Sequence, residues 1–300
     1  MTDTITRRPG GLEISVVIPC RNGAPFIRKQ LDALLAQRTD ANFEVVVADN
    51  GSTDDTADIV RSYADPRVHL VDAGRSPGVN VGRNVGVAAA RGDVILLTDA
   101  DDVVHEGWID AYATAFRDGT QVAGGGLDRV LADGRVLERN RQLYRVLVGG
   151  IRFANGTNCA FTREAFDAVG GFDESFKGGA DEVEFFWRIA DAGYTLELVP
   201  DAVVSKTQHA DLGDAFQQHF NFGRGEARLL RKHRPQLLAA VTVVAMMQAV
   251  LWGVIRSTVV RVAPAGDRKA TCTLAWNLGL WAESTRLRHG DRSARGLPAA

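Results

Sequence analysis

Val94-Ile95-Leu96-Leu97-Thr98-Asp99-Ala100-Asp101-Asp102 sets the fold class of this 300-residue chain. Four consecutive apolar residues bounded by polar ones read as a strand buried on both faces of a sheet. Three carboxylates then follow within four residues. They repel one another unless a cation or solvent compensates them. At a strand end over a cleft they form an oxygen-rich site suited to Mg2+ or Mn2+.

Upstream, the same grammar repeats. Ile14-Ser15-Val16-Val17-Ile18-Pro19 is a buried strand stopped by proline, and Phe43 to Ala48 is a second one. Val68 to Val71 is a third. Between them lie helical patterns with an apolar face at Phe26, Ile27, Leu31, Leu34 and Leu35, at Ile59, Val60 and Tyr63, and from Val79 to Ala90. Strands alternating with helices predict an α/β fold with a mixed, mostly parallel, nucleotide-binding sheet. Such sheets bind ligands beyond the carboxyl ends of their strands. Asn22, Asp49 and Asp99 to Asp102 all fall at those ends.

Downstream, Leu127 to Leu137 carries Asp133-Gly134 between apolar segments, a hairpin signal. Asn155-Gly156-Thr157-Asn158 precedes a strand at Cys159 to Phe161, and a helix through Ala165-Phe166 ends at Gly170-Gly171. Asp181-Glu182-Val183-Glu184 opens a helix that carries Phe185, Phe186 and Trp187, which read as core. Leu196 to Val199 is a further strand. The expected organisation is a leader over 1–12, an α/β domain over 13–225 and a helical region over 226–300.

Composition excludes several classes. Apolar residues make up 45% and charged residues 24%, with a net charge of -2, so duplex nucleic acid is not an expected partner. Cys20, Cys159 and Cys272 are too far apart for metal-ligand spacing and read as thiols in a reducing compartment. The start of the chain has no apolar stretch of the signal-peptide kind, which predicts a cytoplasmic catalytic part. Walker-A and G-x-S-x-G signatures are missing, and Gly82-Arg83-Asn84-Val85-Gly86 lacks the dinucleotide G-x-G spacing.

Seven segments in order resemble the family 2 inverting glycosyltransferases, which have the GT-A fold; the resemblance covers residues 13 to 225. Pro19-Cys20-Arg21-Asn22 is similar to the family's V-I-P-x-x-N. Ala48-Asp49-Asn50-Gly51-Ser52-Thr53-Asp54 resembles its D-[DN]-G-S-x-D, whose Asp contacts the nucleotide base. Gly82-Arg83-Asn84 with Gly86, and Ala90-Arg91-Gly92-Asp93, resemble its A-R-N-x-G and A-x-G-D runs. Asp99-Ala100-Asp101-Asp102 resembles the D-x-D motif that binds metal and the phosphates of a nucleotide-sugar. Asn158 to Phe172 is similar to the donor- and acceptor-lining stretch. Asp181-Glu182 with Arg188 resembles the E-D-x-x-x-x-x-R helix that carries the base.

The resemblance implies transfer of a sugar from a nucleotide-diphospho-sugar to an acceptor hydroxyl, with inversion in one displacement and Mn2+ or Mg2+ as cofactor. It places Pro19, Asn22, Asp49, Arg83, Asn84 and Asp99 at the nucleotide-sugar, and Asp99, Asp101 and His209 at the metal. Glu182 is the expected base, with Asp181 as its rival because the usual Glu-Asp order is reversed here. Arg83 would face the diphosphate, or else form a surface ion pair. Two other classes stay open: a non-catalytic nucleotide-sugar or glycan binder, and a nucleotidyltransferase.

Leu237 to Ile255 carries no charge and is flanked by Arg231-Lys232-His233-Arg234 and by Arg256 and Arg261. It fits a membrane-surface or re-entrant anchor, a true span, or a soluble helix covering the sheet. Thr271 to Ala282 is a candidate partner helix. Anchoring at the inner face of the cell membrane would suit a saccharide acceptor that is lipid-linked or part of the cell envelope.

Overall fold

The computed structural model describes residues 13–131, 133–146, 150–208, 212–244, 247 and 268–294. Its contacts divide the chain into two compact units. One comprises Met1–Glu174 and Glu182–Gln208, the other Ser175–Asp181 and His209–Ala300. The expected boundary near residue 225 falls inside a helix of the second unit.

In the first unit, β1 (Ile14–Cys20), α1 (Ile27–Leu35), β2 (Phe43–Asp49), α2 (Thr56–Arg61), β3 (Val68–Asp72), α3 (Val79–Ala89) and β4 (Val94–Leu97) follow one another along the chain. Their strands lie in the order β3-β2-β1-β4, all parallel. The chain adds β2 and β3 on one side of β1, then returns to add β4 on the other. That reversal opens a crevice at the carboxyl ends of β1 and β4. The apolar runs feed two layers. Val16, Ile18, Val45, Val47 and Leu96 face one core; Val17, Val46, Ile95 and Leu97 face the other. Side chains alternate along a strand, so unbroken Val/Ile/Leu runs are what a doubly covered sheet needs. Gly86 lets α3 approach the sheet, because a Cβ there would collide with Val17.

Next come β5 (Val103–Val104), α4 (Trp108–Arg117), β6 (Val122–Val130), β7 (Val136–Asn140), β8 (Tyr144–Arg145), β9 (Arg152–Phe153), β10 (Cys159–Thr162), α5 (Arg163–Ala168), α6 (Asp181–Asp191) and β11 (Leu196–Thr207). The sheet continues β4-β10-β6-β11-β5, with β7 on β6 and β8 paired to β9 separately. The β6–β7 hairpin is the one that Asp133-Gly134 predicts. Two pairings position the site. β10 runs antiparallel to β4, with Cys159 opposite Leu97, so residues 155–158 arrive at the carboxyl end of β4. β11 runs antiparallel to β5, with Ser205 opposite Val103, which brings Lys206 beside Asp102. β11 extends past the expected Val199; a register shift between Val199 and Val203 absorbs Pro200. Phe185, Phe186 and Trp187 are core residues as expected.

A buried charge ties the parallel strands together. Glu44, on β2, accepts hydrogen bonds from Ser15 Oγ (2.7 Å) and from the Arg91 backbone N–H (2.6 Å) and Nε (2.8 Å). Burial alone would raise its carboxyl pKa, but the bonds from Arg91 and Ser15 outweigh burial and hold it below the usual range. A depressed carboxylate contributes stability above its unfolded pKa of about 4.3, and loses it as pH falls through the folded value. Glu44→Gln is therefore expected to lower the unfolding free energy at pH 7 by about 1–3 kcal/mol, with the gap shrinking below pH ~4. Urea titrations at both pH values check this.

The second unit contains α7 (Leu212–His233), α8 (235–244) and α9 (Arg268–Ala294). Helices α7 and α9 approach closely at glycines: a Cβ at Gly223 would strike the Trp276 carbonyl, and one at Gly279 the Phe220 carbonyl. Polar pairs seal the seam. Trp276 Nε1 donates to Glu226 (2.6 Å), and Glu283 takes Arg224 (3.0 Å) and Arg228 (3.4 Å). The segment expected as Thr271 to Ala282 lies in α9, and its neighbour here is α7. Of the apolar stretch 237–255, only 237–244 and 247 are among the described residues. No helix among the described residues is long and apolar enough to cross a membrane.

Candidate active site

The site starts from the turn after β4. Gln30, buried on the core face of α1, clamps both ends of that turn. Its Nε2 donates to Thr98 Oγ1 (2.8 Å) and the Asp99 carbonyl (3.3 Å), and its Oε1 accepts from the Val104 N–H (3.1 Å). So held, Asp99, Asp101 and Asp102 each offer a carboxylate oxygen, all within 4.8 Å of one another. Asp101 is exposed, Asp99 half-buried and Asp102 buried. Lys206 Nζ lies 3.0 Å from Asp102 Oδ2 and 3.5 Å from Asp99 Oδ2, and the Thr157 hydroxyl donates to Asp102. Burial, then the charges of Asp99 and Asp101, push the Asp102 carboxyl up to about 6 against the opposing pull of Lys206 and Thr157. Burial disfavours the Lys206 ammonium, but the surrounding carboxylates outweigh it and keep the amine protonated beyond its ordinary range.

Beside this turn lies a cleft of about 420 Å³, lined among others by Pro19, Arg21, Asn22, Asn50, Asp99 and Asp101. Loops after β1 and β2 are laced together to form its wall. Asn22 adopts a left-handed conformation (φ 53°), its N–H donates to Ser52 Oγ (2.9 Å), and its Oδ1 accepts from the Thr53 N–H (2.9 Å). Asp49 accepts from the Ser52 N–H (2.9 Å). Asn50 donates to the Ala73 and Ser76 carbonyls (2.6 and 2.8 Å) and accepts from the Gly78 N–H (2.8 Å). Cys20 lies buried in this wall; burial first, then Asp49, Asp54 and Asp101, push its thiol up to about 12, so it is no nucleophile.

On the other side of β4, the 155–158 loop gathers the remaining charges. A Cβ on Gly156 would collide with the Arg83 guanidinium and touch the Glu182 Cβ (3.4 Å). Glycine at 156 thus makes the space that Arg83 and Glu182 share. Arg83 is buried, against the surface ion pair that was its alternative; it donates to Asn80 Oδ1 (3.1 Å) and stacks over the Phe172 ring at 5.2 Å. Cys159, the first residue of β10, feels the charges of Arg83, Glu182 and Asp99 together, although burial is what chiefly raises its thiol to about 12. The 155–158 loop thus meets both groups, Asp102 through the Thr157 hydroxyl and Glu182 beside Gly156. Asn158 anchors the loop: its Nδ2 donates to the Gly126 and Ala202 carbonyls (2.7 and 2.8 Å), and its Oδ1 accepts from Trp108 Nε1 (2.9 Å) and the Tyr112 hydroxyl (2.8 Å).

Other expected residues serve neighbouring turns. Asn84 bonds both ways with the Phe172 backbone (2.9 Å each) and with Glu174 (3.0 Å), fixing α3 to the loop after α5. Asp181 accepts from the Gly179 N–H (3.1 Å) within the second unit. Arg188 pairs with buried Glu184 (2.6 Å) and donates to the Val169 carbonyl, so it braces α6. His209 lies outside the described residues. Sequence reading missed Gln30, Thr157 and Lys206. Gln30 could have been found as a polar residue on an apolar helix face; Lys206 has no local signal.

The profile of glycosyl transferase family 2 matches residues 15–170. The succinoglycan biosynthesis protein ExoA of Rhizobium meliloti is 31% identical over 290 residues, spanning 89% of this chain and 84% of that one. The chain belongs to glycosyl transferase family 2. As a member of it, the chain is a nucleotide-sugar glycosyltransferase. The profile of glycosyl transferase family 21 matches residues 135–298, overlapping the family 2 match at its start. Glycosyltransferase AglE of Haloferax volcanii is 27% identical over 225 residues, covering 72% of this chain and 73% of that one. The GT-A fold recurs in a Pyrobaculum calidifontis mannosyltransferase solved with GDP-Man and Mn2+ (TM-score 0.56, 23% identity, covering 93% of this chain and 75% of that one). It recurs again in S. aureus TarS solved with UDP (TM-score 0.54, 19% identity, covering 93% and 92%).

Proposed function

We propose that this family 2 glycosyltransferase is an inverting, divalent-ion-dependent enzyme, with Glu182 as its general base and the 99–102 turn as its donor site. One observation carries the reading. The 155–158 loop touches both carboxylate groups within one compact unit: its Thr157 hydroxyl donates to Asp102 of the three clustered carboxylates, and a Cβ on its Gly156 would lie 3.4 Å from the Glu182 Cβ.

The donor set fits the ion on its own chemistry: it is all oxygen, and its carboxylate oxygens converge within 4.8 Å of one another. A bound Mn2+ or Mg2+ supplies Lewis-acid neutralisation of the departing diphosphate. Asp101 and Asp99 would hold it. Asp49 and the Asn22 loop hold the base end of the nucleotide in the cleft beside Pro19. Arg83, buried beside Gly156, is the positive charge assigned to the diphosphate.

The step itself is a single displacement. The acceptor oxygen attacks the anomeric carbon from the face opposite the diphosphate, while Glu182 takes the hydroxyl proton. The C–O bond to the diphosphate breaks with its electron pair on the leaving oxygen, through an oxocarbenium-like state. The product has the inverted configuration, and no side chain becomes glycosylated. Glu182 is preferred to Asp181 because its Cβ adjoins the Gly156–Arg83 space, whereas Asp181 holds the Gly179 N–H.

The acceptor we propose is a lipid-linked or cell-envelope saccharide, used at the inner face of the membrane; the likeness to a succinoglycan biosynthesis protein supports that choice. Incubation with a panel of nucleotide-sugars, with and without Mn2+, tests the assignment. Ion-dependent release of nucleoside diphosphate and an inverted anomeric proton signal in the product are expected. Retained configuration, or equal release in excess chelator, contradicts it.

A further inference from the structure

We propose that Lys206 is a resident counter-cation of the donor site, competing with the divalent ion for Asp99 and Asp102 and so setting how tightly that ion is held. The proposal rests on reading residues 99–102 as the metal site.

Three observations support it. Lys206 contacts the cluster itself, 3.5 Å from Asp99, which is expected to hold the ion, and 3.0 Å from its buried neighbour Asp102. Its position is fixed from both sides, since its strand pairs with β6 at Lys206–Arg129 and with β5 at the adjacent Ser205–Val103. Its side chain is only 22% exposed, so solvent screens the pair weakly.

The residue type matters as well. Of the 35 basic residues in the chain, five are lysines, and one of them stands here. A lysine ammonium is a compact point charge with three rotatable donors, unlike the planar fork of arginine. It can contact two carboxylates at once and release one of them. Removing that charge leaves the three carboxylates more negative and takes away a like charge beside the incoming ion. Both changes favour the ion.

The test is Mn2+ binding to the full chain without substrate, followed at pH 8 by the electron paramagnetic resonance signal of free Mn2+. Lys206→Met is expected to bind Mn2+ at least tenfold more tightly than the parent. Lys206→Arg, which keeps the charge, stays within about threefold. In thermal melts the Met variant is less stable than the parent without ion and gains more on adding Mn2+. Equal or weaker Mn2+ binding by a folded Lys206→Met overturns the proposal. If neither the parent nor Lys206→Met binds Mn2+, the metal reading of residues 99–102 fails, and the proposal with it. Asp101→Ala distinguishes the two failures, since it lowers Mn2+ binding only where the cluster is the site.

Discussion

Asp101→Ala is expected to lower ion-dependent transfer by roughly 10²–10³-fold or more while leaving the fold in place, by analogy with removal of one group aimed at developing charge. Asp101 is exposed at the lip of the cleft, and no hydrogen bond or ion pair ties it to the rest of the described residues. Its loss therefore removes a ligand without removing a support. Asp102→Ala makes the contrast: that carboxylate is buried and holds Thr157 and Lys206, so its removal costs stability as well as activity. Initial rates of nucleoside diphosphate release, with circular dichroism melts of both variants, separate the two effects. An Asp101→Ala enzyme within tenfold of the parent rate contradicts the assignment.

The second large effect is at Glu182, beside Gly156. Glu182→Gln keeps size and shape but cannot take a proton, so kcat should fall about 10²–10⁴-fold. Donor affinity should hardly move, because the loss falls on activation of the acceptor hydroxyl. Asp181→Asn should cost far less in rate, since its carboxylate is committed to the Gly179 N–H. Single-turnover rates combined with donor titrations distinguish these outcomes. If the order of the two effects were reversed, Asp181 would be the base.

Much of this arrangement is legible in the chain. β1, β2 and β4 announce themselves because buried parallel strands need unbroken apolar runs, and their polar ends at Asn22, Asp49 and Asp99 follow from the crevice that a strand-order reversal creates. The 181–191 helix is legible for the same reason: its acidic start and aromatic core residues follow ordinary helix rules. What escapes reading is what depends on distant pairing. α4 begins at Gly107 in a left-handed conformation with no side-chain cap, so its start carries none of the usual signals. Pro200 separates the apolar runs Leu196–Val199 and Ala202–Val204, and that the two form one strand shows only in the register shift that absorbs it. Lys206 stands 104 residues from Asp102, and nothing in its neighbours marks the contact. Arg83 reads from sequence as a diphosphate partner or a surface ion pair, and its burial beside Gly156 shows only once the distant 155–158 loop is in place.

The most direct test of a shared site is a crystal structure grown with Mn2+ and a nucleoside diphosphate, collected for anomalous scattering. The account predicts one manganese peak within about 2 Å of an Asp101 carboxylate oxygen, with the nucleotide base beside Asn22 and Asn50 and the Glu182 carboxylate facing the vacant sugar position. A nucleotide seated elsewhere, or a manganese peak away from residues 99–102, contradicts it.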